Sequence, residues 1–305
     1  MRRLFPILTI LCIGAASAAA QTDTTLPSEA KESAAASKPI AATFWNIQWF
    51  PGRRPNASRR EEERQVRSVH RDLARLASDV IGFEEVRDFA HASVAVQPLS
   101  GFKVDVCSSF PPREGQTVGQ QVAIASRLQP MSAWAESWKT GGAITPPRGF
   151  AFAAYEIAPQ RLLLVYALHL KSNRGEIHED MRIRGESMRQ LIAHMADMDT
   201  VYSKLGALTW IVGGDFNTAP DDSRFNGEKT VSDLAARGFQ WCWQGMPLAS
   251  RITLPPDARF PAACFDQIFF RGASLSRAWV SHTSPHSSDH RAVNVTLLLP
   301  DRTQP

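Results

Sequence analysis

The sequence predicts one α/β domain over residues 40–300. Short apolar runs of strand length recur along the whole chain, amphipathic helical stretches separate them, and no Gly/Pro-rich segment is long or biased enough to mark a domain boundary. A hydrophobic content of 44% is ample for a packed core and excludes wholesale disorder and fibrous repeats. Ala42 to Phe50 reads as the first strand. Ser58-Arg59-Arg60-Glu61 matches a capping box, and Val66, Val69, Leu73 and Leu76 then recur at helical spacing. Asp79 to Phe83 and Gln121 to Ser126 are buried-strand runs. Phe150 to Ile157 and Arg161 to His169 read as a hairpin about Ala158-Pro159-Gln160. A long helix follows with Met188, Leu191, Ile192 and Met195 on its core face, and Thr209 to Gly213, Phe265 to Phe270 and Ala292 to Leu299 complete the strands.

Ahead of this domain, residues 1–20 have the form of a cleaved secretory signal. Arg2 and Arg3 precede an apolar run from Leu4 to Ala15, and small residues follow at Ala16-Ser17-Ala18 and Ala18-Ala19-Ala20. The apolar part is short and interrupted by Pro6, so a membrane anchor is disfavoured. Residues 21–39 read as a flexible leader, and a periplasmic or secreted location is expected. Without Arg2 and Arg3 the net charge of +4 falls to +2, too mild for a nucleic-acid coating protein. Three cysteines lie beyond the signal, at 107, 242 and 264, and in an oxidising compartment Cys242–Cys264 is the expected pair, with three buried thiols the alternative.

Polar and acidic groups stand where apolar strands end: Asn46, Glu84 and Glu85, His169, Asp215 and Asn217, Asp266, Asp289 and His290. One acid at a strand end is ordinarily a cap or turn residue. Six such places in one chain suggest a site, because ligands in α/β sheets gather at strand ends. Carboxylates and amides without paired thiolates favour a hard cation, Mg²⁺ with Mn²⁺ as a substitute, over Zn²⁺. No His-Glu-x-x-His, Cys-x-x-Cys, P-loop or Gly-x-Ser-x-Gly stretch is present. Metal-assisted attack by water remains, with two histidines available for proton transfer.

In their order along the chain, Trp45-Asn46-Ile47, Ile81-Gly82-Phe83-Glu84-Glu85-Val86, Leu168-His169-Leu170-Lys171-Ser172, Gly214-Asp215-Phe216-Asn217, Phe265-Asp266-Gln267-Ile268 and Ser288-Asp289-His290-Arg291 resemble the endonuclease/exonuclease/phosphatase superfamily, the DNase I-like fold. The resemblance implies a four-layer α/β/β/α sandwich with two facing mixed β-sheets and the site at one edge. It implies Glu85 as the principal metal ligand, with Asn46 and Asp289 in the same region. Asp266 would fix His290, the base that takes a proton from water. Asp215 would orient that water, Asn217 and Arg148 would bind phosphate, and His169 would bind phosphate and help protonate the leaving oxygen.

The chain departs from the family pattern in two places. Glu84 stands where many relatives carry Gln, and is expected to face solvent, with a supporting acid behind the site as the alternative. The carboxylate that supports the equivalent of His169 in DNase I-like nucleases is replaced by Gln120 or Gln121. The arginines at 53, 54, 59 and 60 are candidates for a rim that holds an anionic substrate; a solvated loop is the alternative. His282 and His286 are rim candidates, whereas His70, His91, His178 and His194 read as surface residues. The expected activity is phosphodiester hydrolysis leaning to a nuclease, with the protein a monomer, nucleic acid a candidate partner and no stable membrane insertion. Sphingomyelinase-like or inositol-phosphate phosphatase activity is the alternative, disfavoured for lipids by the lack of an apolar docking loop in the sequence. A non-catalytic binding protein on the same scaffold is the third reading.

Overall fold

The computed structural model describes residues 39–112 and 118–300, and the signal and leader expected over 1–39 lie outside them except for Pro39. From the N-terminal side the elements are β1 (Ile40–Phe50), α1 (Arg59–Leu73), β2 (Val80–Val86), α2 (Phe89–Val96), β3 (Lys103–Cys107) and β4 (Gln121–Ser126). Then come β5 (Pro130–Ser137), β6 (Gly149–Ala158), β7 (Arg161–His169), α3 (Ile177–Tyr202), β8 (Ala207–Asp215), α4 (Thr230–Ala235) and β9 (Gln240–Trp241). The last are β10 (Asp266–Arg271), β11 (Ser274–Ser281) and β12 (Ala292–Leu298).

Two six-stranded sheets result, ordered β11-β12-β1-β2-β4-β3 and β5-β6-β7-β8-β10-β9. Each is mixed, because β1 and β2 run parallel in the first and β7 and β8 in the second, among antiparallel neighbours. Apolar alternation decides the layers. One face of each sheet meets the other in a core that includes Phe44, Tyr155, Val165, Ile211 and Val293. The outer face of the second sheet packs Tyr166, Trp210 and Phe269 beneath Met188 and Leu191 of α3. The outer face of the first packs Trp45 and Phe83 beneath Val69 and Leu73 of α1. The architecture is therefore the expected α/β/β/α sandwich. The sheets approach closely at Phe44, whose ring sits against Gly82 and Gly213. A Cβ at either glycine would fall 2.3 or 2.5 Å from that ring.

The strand runs read from the sequence are all present. Helices α2 and α4 and strands β3, β5, β9 and β11 were not read, being short or, for β5 and β11, lying at a sheet edge with few apolar residues. The expected Cys242–Cys264 bond is corrected: both are free thiols buried in the intersheet core. There they behave as small apolar side chains, and burial pushes the Cys264 thiol up to about 12, far from a reactive thiolate. His194 also departs from its surface reading. It is half-buried against Trp134, Phe150, Phe152 and Tyr166, with the Tyr166 hydroxyl 2.7 Å from Nδ1. Among the described residues no helix is long and apolar enough to cross a membrane.

Candidate active site

Register aligns three of the expected residues in one row. Across the second sheet His169 at the end of β7 pairs with Asp215 at the end of β8, and Asp215 pairs with Asp266 at the start of β10. Directly paired residues project from the same face, so the three side chains converge. The first sheet brings Asn46 from β1 and Glu85 from β2. The loop before β12 brings Asp289 and His290.

Glu85 reaches the site through a bulge. In the pairing of β2 with β4, Glu84 faces Val122 and Val86 faces Gln121, leaving Glu85 as the extra residue, with φ at +61°. That insertion breaks the alternation and corrects the expectation for Glu84. Its side chain is 0% exposed, lies against Gly214 of the other sheet, and neither carboxyl oxygen has a hydrogen-bond partner. Burial, then the charges of Asp266 and Asp215, push its pKa well above the usual range, which favours the neutral acid.

Contacts knit the cluster. The Asn46 amide donates to Glu85 Oε1 at 3.3 Å and to Asp215 Oδ2 at 3.1 Å, while its Oδ1 accepts from the Gln48 backbone. Glu85 Oε2 accepts from the Trp49 N–H at 3.1 Å. His169 Nε2 lies 3.5 Å from Asp215 Oδ2 and 3.8 Å from Glu85 Oε1. His290 Nδ1 is 2.8 Å from Asp266 Oδ2, and its Nε2 faces Asp215 Oδ2 at 3.9 Å. Burial pulls the His290 pKa down, but the Asp266 and Asp215 carboxylates raise it further, for a net value well above the ordinary range. Asp215 is raised to about 7 by burial, with Asp266 adding to the rise and His290 opposing it. Glu85 is raised by burial and by Asp289.

So many buried carboxylates with too little compensating charge fit a cation. Glu85 and Asp289, oriented by Asn46 and Gln48, could supply hard oxygen donors for it. Asp215, Asp266 and His290 also offer ligand atoms within 4.8 Å of one another. Asp266 Oδ2 already engages His290, so this trio could handle a proton as well as hold a cation. Both Asp215 and His290 bind protons more tightly folded than unfolded, so stability of the metal-free protein is expected to fall as pH rises from about 4 to about 7 and beyond. Added Mn²⁺ should restore most at the upper end, since protons compete for its ligands. Calorimetric scans with EDTA and with Mn²⁺ check this; a metal-free midpoint that climbs with pH would contradict it.

Arg148 donates to the His169 and Leu170 carbonyls at 2.8 and 2.6 Å and to Gln120 Oε1 at 3.2 Å, bracing the exit of β7. Gln121 turns to Ser108 and Phe110 instead of His169. Asn217, at φ +53°, has its N–H on Asp215 Oδ1 and its amide on the Leu170 carbonyl. Asn173 of the next loop donates to the Asn217 carbonyl and accepts from Arg184, itself buried and bidentate to Glu228. Of the arginine cluster, Arg53 and Arg54 line the cleft, as does His282. Arg59 pairs with Glu63 on the exposed face of α1.

Two functional residues escaped the sequence reading. Gln48 holds Asp289 in a two-way grip, donating to Oδ2 at 2.9 Å and accepting from its N–H at 3.2 Å. Gln65, buried in α1, donates to the Ile47, Gln48 and Ser287 carbonyls and accepts from the Gly52 and Arg53 N–H groups. It thereby ties the loop after β1 to the loop carrying His290. The irregular end of β1 holds Gln48 and Trp49 at φ +44° and +47°, a conformation rarely adopted by such side chains. Replacing Gln65 with alanine strands these backbone groups, and an unfolding free energy lower by about 2–4 kcal/mol is expected in urea titration. The only sequence signal for Gln65 is a polar residue on the apolar face of α1.

The family model described as Endonuclease/Exonuclease/phosphatase family matches residues 43–290. No curated protein matches the chain significantly. Among solved structures, humanized TDP2 of D. rerio aligns with 16% identity and a TM-score of 0.59, covering 85% of this chain and 98% of that one. An endonuclease/exonuclease/phosphatase from Beutenbergia cavernae aligns with 17% identity and a TM-score of 0.60 over 86% and 72%. A functionally unknown conserved protein from Enterococcus faecalis aligns with 14% identity and a TM-score of 0.60 over 86% and 100%. At such identities these neighbours speak for the fold, and the family match spans every residue of the aligned row together with Asn46, Glu85, Asp289 and His290: the chain belongs to the endonuclease/exonuclease/phosphatase family.

Proposed function

We propose that this chain is an exported, Mg²⁺-dependent phosphodiesterase of nuclease type. The observation that carries the reading is the convergence of the His290–Asp266 pair, Asp215 and His169 on Glu85 in one cleft of about 1120 Å³. In it His290 Nε2, fixed by Asp266, takes the proton from a water oriented by Asp215. His169 and Asn217 bind the phosphate oxygens, and His169 returns a proton to the leaving oxygen. A divalent ion held by Glu85 and Asp289 would neutralise phosphate charge, the main requirement of phosphoryl transfer.

The nuclease lean is supported by Arg53, Arg54, Arg174, Arg224 and Arg291 along the cleft, a lining suited to a polyanion. A structural neighbour, D. rerio TDP2, has been crystallised with single strand DNA product. The test is hydrolysis of plasmid DNA, single-stranded DNA, RNA, sphingomyelin and inositol phosphates with Mg²⁺, Mn²⁺ or EDTA. Cleavage of nucleic acid that EDTA abolishes is expected. Turnover of only the lipid or the inositol phosphates would overturn the nuclease reading, and no turnover of any would overturn the enzyme reading.

A further inference from the structure

We propose that the loop between Leu254 and Ala263 is a stacking ledge for an unpaired nucleobase next to the scissile phosphate, an inference that rests on the phosphodiesterase reading above. The loop is a built hairpin. Leu254 and Ala263 exchange backbone hydrogen bonds at 2.9 Å, and the Asp257 N–H donates to the Phe260 carbonyl at 3.0 Å. The Asp257 carboxylate accepts from the N–H groups of Arg259 and Phe260, which closes the tip. Phe260 is thus presented by a closed turn, yet it is 61% exposed, the most exposed large apolar side chain among the described residues. It lines the same cleft as His290. An aromatic ring held open to water in the lining of the site cleft is available to a bound ligand.

The ledge is fixed to the catalytic row. Its root packs Leu254 and Ala263 with Phe225 and Phe265, whose rings meet edge-on at 5.8 Å. Buried Thr253 accepts from the N–H groups of Phe265 and Asp266 through its hydroxyl, and its carbonyl accepts from the Arg291 N–H at 2.7 Å. One residue therefore ties the hairpin to the partner of His290 and to the neighbour of His290. Arg224, stacked 5.5 Å over Phe225, and Arg291 line the cleft beside it.

A flat apolar surface beside arginines suits a group with a π-face on an anionic backbone, which is a nucleotide. The base must be unpaired, since bases in a duplex already spend both faces on stacking. A lipid surface fits less well. Phe260 is flanked by Asp257 and Arg259, and other exposed large apolar residues such as Phe89, Met131, Val201 and Leu205 belong to α2, β5 and the α3 region. The hairpin does correct the sequence expectation that the chain has no exposed apolar loop.

The test compares single-stranded oligothymidylate with an abasic oligomer of equal length and charge. Wild type, Phe260→Ala and Phe260→Trp are assayed for KM with Mg²⁺, and for binding by fluorescence anisotropy in EDTA. The expected wild-type preference for the base-bearing strand is about ten-fold. It should fall to near unity in Phe260→Ala and return in Phe260→Trp. A missing wild-type preference, or one that survives Phe260→Ala, overturns the ledge. Loss of binding to phosphatidylglycerol vesicles in Phe260→Ala with the oligomer preference intact overturns it in favour of membrane docking. If wild type cleaves neither oligomer, the phosphodiesterase reading fails, while anisotropy still decides the ledge.

Discussion

Replacing His290 with alanine is expected to lower kcat by about 10²–10⁴-fold, the usual worth of a positioned general base. Its geometry suits the proposed base: Nδ1 is committed to Asp266 at 2.8 Å, and Nε2 faces Asp215 at 3.9 Å. Asp266→Asn should also lose most of the turnover, because the amide no longer selects the tautomer that leaves Nε2 free to accept a proton. A base must be unprotonated, so the rate should rise with pH through the His290 pKa, which Asp266 and Asp215 hold high. In any residual activity of Asp266→Asn that limb should move to lower pH. Steady-state hydrolysis across pH, with circular dichroism to confirm folding, measures both. More than about a tenth of the parent turnover in His290→Ala would remove His290 from the chemistry.

Glu85→Gln should separate metal binding from folding. The amide keeps the shape and removes one anionic ligand, so Mn²⁺ affinity by titration calorimetry should weaken by at least about ten-fold, and turnover should fall with it. Stability should move the other way without metal. Glu85 has a raised folded pKa, caused by burial and by Asp289, so its ionised form at neutral pH destabilises the fold, a cost absent where it is protonated. The metal-free variant is therefore expected to melt above the parent, and saturating Mn²⁺ to raise the parent more than the variant. A metal-free variant that melts below the parent, with unchanged Mn²⁺ affinity, would make Glu85 a packing residue.

Much of this was legible along the chain. Apolar runs located β1, β2, β4, β6, β7, β8, β10 and β12, and of the polar residues that end them Glu85, His169, Asp215, Asn217, Asp289 and His290 line the cleft. What the runs could not convey was direction. Glu84 and Glu85 are adjacent acids, and a single inserted residue decides that one is entombed between the sheets and the other faces the cleft. Gln65 looks like an ordinary helix residue, although its partner Ser287 lies far along the chain. The Phe260 ledge was missed because a loop rich in prolines has no periodicity to read.

The sequence by itself determined most of the strands and the chemical inventory, because periodicity and residue type are local properties, whereas the four layers followed only from the family resemblance. Tertiary structure alone decided which oxygens meet. The row of His169, Asp215 and Asp266 exists only through strand register, and the grip of Gln48 on Asp289 joins positions separated by nearly the whole domain. Register and long-range hydrogen bonds depend on how complete sheets pack, and no window of neighbouring residues contains that information.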